Sequence, residues 1–194
     1  MTDRILNKMI HLNIINAEEA DIYRFGMETL ELKLLHYISY LFIAVLCGEV
    51  FNFCLFFMAF LLLRKNAGGC HSETKTGCYF LSCFTVLGAI LIMKYVVLQN
   101  AVIFSGIVLL LVADILIYRL APLGNRNREL NDKEIIYFRK RTRQILIVEN
   151  SVIFACLVCS KKQYALPFIL AVICQAVLLM LQKRKDYLME KRGL

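Results

Sequence analysis

Proline is nearly missing from this chain, with two residues in 194, and glycine adds only nine. A collagen-like repeat and a Pro/Gly-rich disordered chain are therefore excluded. Charge is also sparse, at 20% of residues, and no internal repeat or low-complexity tract is present, which argues against intrinsic disorder. The amino terminus lacks the charged stub, apolar core and small-residue cleavage site of a secretory signal. Eight cysteines in a chain of this length fall short of a disulfide-dense secreted scaffold. What is abundant is apolar: hydrophobic residues make up 59% and the mean hydropathy is +0.62. A soluble domain of that composition could not cover its own core. The net charge is nonetheless +8, from 23 Lys and Arg against 15 Asp and Glu. A basic chain with long apolar runs reads as an all-α, polytopic membrane protein.

Crossing about 30 Å of hydrocarbon at about 1.5 Å per helical residue takes about 20 residues. Apolar runs at 30–47, 50–63, 79–98, 101–118, 145–160 and 164–181 approach that length, predicting about six transmembrane helices. The first two adjoin at Cys47-Gly48-Glu49. One helix over residues 32–63 would be roughly 48 Å long, so the chain is expected to break at Gly48. Basic residues set the orientation. Nineteen lie before residue 30, in the loops 64–78 and 119–144, and in the tail; two, Lys161 and Lys162, lie on the other side. Both termini and the two large loops are thus expected to face the cytoplasm. Ahead of the first run, Ile5, Leu6, Met9, Ile10 and Leu12 form one stripe opposite Asp3, Arg4, Asn7, Lys8 and His11, an amphipathic interfacial helix.

Five cysteines (Cys47, Cys54, Cys83, Cys156 and Cys174) lie inside apolar runs and Cys159 ends one; they read as small buried hydrophobes. Cys156-x-x-Cys159 has the spacing of a redox pair but not its helix-start setting. Cys70 and Cys78 differ, because they share the loop 64–78 with His71. Cys78 opens the third span, where the positive end of a helix and Lys75 favour thiolate, with Thr76 or Gly77 as cap. Gly68 and Gly69 can shape a turn or present N–H groups to an oxyanion. Ser82 follows Cys78 by one turn on the same face. On these residues alone three readings stay open: a solvated loop, a metal site of Cys70, His71 and Cys78, and a thiol nucleophile with a histidine base.

The run Arg64-Lys65-x-x-Gly68-Gly69-x-His71-x6-Cys78, with Ser82 after it, closely resembles the accessory gene regulator B family. Ala121-Pro122-Leu123-Gly124-Asn125-Arg126-Asn127-Arg128-Glu129-Leu130 is similar to that family's loop after the fourth span, with Arg126-Asn127 in place of Pro-Asn and Arg128 in place of Lys. The resemblance covers residues 20–185. It implies a membrane cysteine peptidase of Gram-positive bacteria that removes the carboxy-terminal tail of a short propeptide and yields a cyclic thiolactone or lactone for quorum sensing. It places the nucleophile on Cys78 and the base on His71, needs no metal or cofactor, involves no nucleic acid, and leads to an expected homodimer. The domain is then a single membrane unit over 1–194, with an amphipathic segment at 1–29, a catalytic loop at 64–78, a basic loop at 119–144 and a basic tail at 182–194.

Ionisable residues within spans are functional candidates. Lys94 can snorkel outward. Asp114 and Glu149 lie near the depth of Cys78, where either could hold the second His71 N–H; the alternative is pairing with Arg119 or Arg143. Arg139, Lys140, Arg141 and Arg143 form a basic cluster expected to capture an acidic propeptide tail, or to meet anionic membrane lipid. The substrate is expected to carry an amphipathic leader. Two readings from other classes are a non-catalytic membrane module that binds an acidic partner, and a thiol oxidoreductase built on Cys156 and Cys159.

Overall fold

The computed structural model describes residues 2–12, 14–70, 74–96, 98–124 and 130–191. Among them every regular element is helical: α1 (Thr2–His11), a 3-10 turn (Ala17–Glu19), α2 (Ala20–Cys47), α3 (Val50–Ala67), α4 (Lys75–Tyr95), α5 (Asn100–Leu120), α6 (Asp132–Val158) and α7 (Lys162–Lys191). The chain divides into two compact units at Ile43/Ala44, inside α2. In the first unit, α1 occupies the segment with the amphipathic stripe, and Arg24 pairs with Asp3 at 3.1 Å. Both side chains are well exposed, so the pair contributes little stability.

In the second unit α7 is the central helix, packed by α3, α5 and α6. Its small residues Ala165, Ala171 and Ala176 are buried and let neighbouring helices approach closely. Leu63 and Ala67 of α3, Ala113 and Ile117 of α5, and Leu146 and Ile153 of α6 complete the shared core. The outer faces are as apolar as the inner ones: Phe84, Phe104 and Phe154 are 69%, 70% and 69% exposed. Aromatic rings in that position face hydrocarbon, not water.

The break expected at Gly48 is present. Gly48 has φ +72, and its N–H donates to the Val45 carbonyl at 3.1 Å while Glu49 N–H donates to Ala44 at 3.0 Å. This pair of bonds is a Schellman ending, which a left-handed glycine permits. Lys94 Nζ donates to the Cys47 carbonyl at 2.9 Å, so this intramembrane lysine satisfies the end of α2. The same ending recurs at Ser160, φ +57, where Ser160 N–H reaches Leu157 and Lys161 N–H reaches Cys156.

Among the described residues five helices are long and apolar enough to cross a membrane: α2, α3, α4, α5 and α7. The expected sixth run, 145–160, falls in α6, whose first half is charged and whose apolar part from Ile145 to Val158 is only about 21 Å long. Parts of the segments read as loops and tail are helical: α3 runs to Ala67 and α4 starts at Lys75, α5 runs to Leu120 and α6 starts at Asp132, and α7 continues to Lys191. Hydropathy marks where a helix meets lipid. Backbone bonding carries the helix further wherever water can solvate its charged side chains.

Candidate functional site

The loop between α3 and α4 is built around two glycines. Gly68 has φ +78 and Gly69 φ +146, conformations that favour glycine. Neither has room for a side chain: a Cβ on Gly68 would strike the Leu123 carbonyl oxygen, and one on Gly69 would strike the Arg64 guanidinium. Leu123 comes close because its N–H donates to the Ala67 carbonyl at 3.0 Å, tying the end of α3 to the segment after α5, which contains the cis Ala121-Pro122 bond. Arg64 reaches forward from the last turn of α3. Its two terminal nitrogens donate to the Gly68 carbonyl at 3.3 Å and the Cys70 carbonyl at 2.6 Å. From α7, Gln175 Nε2 donates to the same Gly68 carbonyl at 2.8 Å. Gly69→Ala should therefore displace Arg64 as well as strain the backbone, costing at least about 1–2 kcal/mol. Thermal unfolding in detergent checks this, and a wild-type melting temperature with wild-type activity would contradict the steric account.

The start of α4 is set by Thr74, not by Thr76 or Gly77. Thr74 Oγ1 accepts from Gly77 N–H at 3.0 Å, and the Thr74 carbonyl accepts from Cys78 N–H at 3.1 Å. A threonine caps with its hydroxyl from the extended conformation that Thr74 holds, whereas Gly77 is already inside the turn. Cys78 thus stands in the first turn, at the positive end of the helix, and its thiol is half-buried. Ser82 follows one turn later, also half-buried. His71 lies outside the described residues, as do Ser72 and Glu73; Cys70, which precedes it, is half-buried. Burial pushes the Cys70 thiol above its ordinary range, against the pull of the Arg64 and Lys185 cations, while Cys78 and Asp186 add to the rise. Cys70 is thereby disfavoured as a thiolate.

Asp114 and Glu149 belong to a different neighbourhood. Asn150 Nδ2 donates to Asp114 Oδ2 at 3.1 Å, while Asp114 Oδ1 and both Glu149 oxygens are buried without a hydrogen-bond partner. Among the described residues no ion pair joins Asp114 or Glu149 to Arg119 or Arg143, and the Arg143 guanidinium lies 3.8 Å from the Tyr118 ring centre. Stacking on Tyr118 gives the Arg143 cation a partner across the α5–α6 pair, while its Nε is buried without a hydrogen-bond partner. A cleft of about 890 Å³ between α5 and α6 is lined by Asp114, Asn150, Tyr118, Arg119 and Arg143, and Cys78 and Ser82 do not line it. A smaller cleft of about 200 Å³ lies against Gly68, Gly69 and Arg64 on one side and Leu123, Leu130 and Phe138 on the other.

Arg139, Lys140 and Arg141 are exposed on the first turns of α6, with Arg143 half-buried beyond them. Lys185 of α7 is a basic residue that the sequence reading left in an undivided tail; it lies within electrostatic range of Cys70. Gln175 was also missed, although a lone amide in the apolar run 164–181 is a visible signal. All eight cysteines, Cys156 and Cys159 included, are free thiols.

A family model for accessory gene regulator B matches residues 2–179. Over 140 residues the chain is 28% identical to "Putative AgrB-like protein 2" of Clostridium perfringens strain 13, covering 68% of this chain and 64% of that protein. Over 136 residues it is 24% identical to "Putative AgrB-like protein" of Clostridium perfringens strain SM101, with the same coverage of 68% and 64%. The matched part thus spans a little under two thirds of these curated relatives' length. No solved structure matches the chain.

Proposed function

Because the chain belongs to the accessory gene regulator B family, we propose that it is a membrane cysteine endopeptidase that cuts the acidic tail from a short autoinducer propeptide and promotes ring closure. The observation that carries this reading is the placement of Cys78. Its thiol occupies the capped first turn of α4, at the end of a short loop whose preceding turn is held by Arg64 and Gln175. His71 lies in that loop, seven residues before the thiol, and acts as the base.

Cys78 attacks the scissile carbonyl while His71 takes the thiol proton and later returns it to the leaving amine. The product is a thioester acyl-enzyme. A thiol or hydroxyl within the substrate then attacks the thioester and closes a thiolactone or lactone. Exchange between two thioesters is nearly isoenergetic, so the acyl group stays activated for cyclisation if water is kept out. In this reading the active site faces the cytoplasm of a Gram-positive cell, as do both termini, and Asp114 and Glu149, which line or adjoin the α5–α6 cleft, are not needed to orient His71. α6 crosses beside α7, because a connection as short as Cys159–Lys161 makes the two helices antiparallel neighbours. The charged first half of α6 then leaves the membrane on the same side as the charged end of α7. A homodimer is the expected assembly.

The direct test is to trap the intermediate. Incubating protein in vesicles with a propeptide whose ring-closing thiol or hydroxyl is removed, so that no thiolactone or lactone forms, and quenching with hydroxylamine should convert the acylated Cys78 species to a tail-less peptide hydroxamate, read by mass spectrometry. Tail release without any hydroxamate would count against a thioester.

The basic face of α6 is proposed to gather the acidic tail. Neutralising Arg139, Lys140 and Arg141 to Gln should raise KM severalfold, and most at low salt, with kcat nearly unchanged. Exposed charges act over about 8 Å at physiological salt, which affects capture and not bond breaking. Cleavage assays at two salt concentrations decide it; an unchanged KM and salt dependence in a correctly inserted variant would leave these residues with a topological role only.

A further inference from the structure

The middle of α7 is apolar, yet Gln175 lies there fully buried. Its Nε2 donates to the Gly68 carbonyl, and its Oε1 has no partner. A half-satisfied buried amide costs stability that a methionine or leucine of similar size would not. The residue is therefore a poor choice for packing alone, and the one bond it makes falls on the turn that leads into Cys70 and His71.

Two donors from different helices, Gln175 and Arg64, converge on the Gly68 carbonyl and so fix the rotation of the Gly68–Gly69 peptide. That peptide is trans, since among the described residues the cis bond is Ala121-Pro122. In a trans unit the N–H points opposite to the carbonyl. The Gly69 N–H is therefore turned away from Gln175. Gly69 is buried, and among the described residues its N–H has no acceptor. Buried backbone donors are rarely left unspent. A fixed, unspent donor next to the loop of a nucleophile is the component an oxyanion hole requires.

We infer that Gln175 is a positioning residue: it locks the Gly68–Gly69 peptide so that the Gly69 N–H binds the oxyanion formed when Cys78 attacks the propeptide. This rests on the peptidase reading above. In that step the Cys78 sulfur bonds to the carbonyl carbon and the carbonyl π pair moves to oxygen, where Gly69 N–H meets it. The pair returns as the C–N bond breaks, and the amine leaves with the proton held by His71.

The test uses the full chain in vesicles and an acidic-tailed propeptide. Gln175→Met keeps length and volume while removing the donor, and Gln175→Leu is the second variant. Four quantities are read: kcat, KM, melting temperature, and the rate at which iodoacetamide alkylates Cys78, followed on the Cys78 peptide by mass spectrometry. Alkylation displaces iodide and forms no oxyanion, so it reports the thiol without the hole. The expected result is a kcat lowered roughly 10- to 100-fold, with KM within about 2-fold, alkylation unchanged and melting not lowered. An unchanged kcat in both variants overturns the inference. So does a loss of melting temperature and alkylation rate in proportion to kcat, which would make Gln175 purely structural. If wild type cleaves no propeptide, or Cys78→Ala cleaves as well as wild type, the peptidase reading fails and takes the inference with it. An unchanged kcat in the Gln175 variants leaves that reading standing.

Discussion

Cys78→Ala and His71→Ala are each expected to lower tail release by about 10³-fold or more while leaving membrane insertion intact. On the proposed mechanism the sulfur forms the bond that replaces the scissile amide. Cys70 is a second thiol in the same loop, and its burial disfavours the thiolate. Cys70→Ser should therefore cleave within about 2-fold of wild type. On the same mechanism, loss of the histidine would leave the thiol without a base and the leaving amine without a proton donor. The double variant should be no slower than either single one, because the two residues act as a unit. Release is followed by mass spectrometry of the freed tail, and insertion by protease accessibility. Near wild-type release by either single variant would refute the mechanism, and an inactive but folded Cys70→Ser would revive a metal site in the loop.

Arg64→Ala is expected to have the next largest effect. It removes two charge-assisted hydrogen bonds, to the carbonyls of Gly68 and Cys70, from the residues that lead into His71. Hydrogen bonds to charged groups are worth about 1.5–3 kcal/mol each, so a loss of roughly 10²-fold in kcat follows if only part of that energy orients the loop. Arg64→Lys should recover little of it. An ammonium is a point donor on a flexible stem and cannot hold two carbonyls in a fork. Equal activity of the lysine variant and wild type would show that charge alone matters here, and that the fork geometry does not.

The helical class, the membrane setting and the break at Gly48 were legible because each follows from local chemistry: length of apolar run, and one residue able to adopt positive φ. The starts and ends of helices were less so. Asn131 opens α6 with its N–H bonded to Glu134 Oε2 at 3.1 Å, an ordinary capping pair that lies outside every apolar run. Thr74 caps α4 from a stretch where Thr76 and Gly77 are equally plausible caps by residue type. In the candidate site, Gly68, Gly69 and Cys78 could be named from the motif, and so could Arg64. Gln175 could not, because its role depends on α7 lying against the turn, 107 positions away in the chain. Asp114 and Glu149 were placed by depth alone, and depth does not say which face of a helix meets which neighbour.

The bond from Leu123 N–H to the Ala67 carbonyl joins two stretches that look independent in the sequence. Gly68 lacks a Cβ so that the Leu123 carbonyl can sit against it, which makes the loop after α3 and the loop after α5 a single inherited unit. Chimeras between relatives expose this. Transplanting residues 64–78 alone pairs one protein's turn with another's abutment. Transplanting 64–78 together with 121–124 carries the whole contact across, so the second exchange is the one that should preserve a working loop.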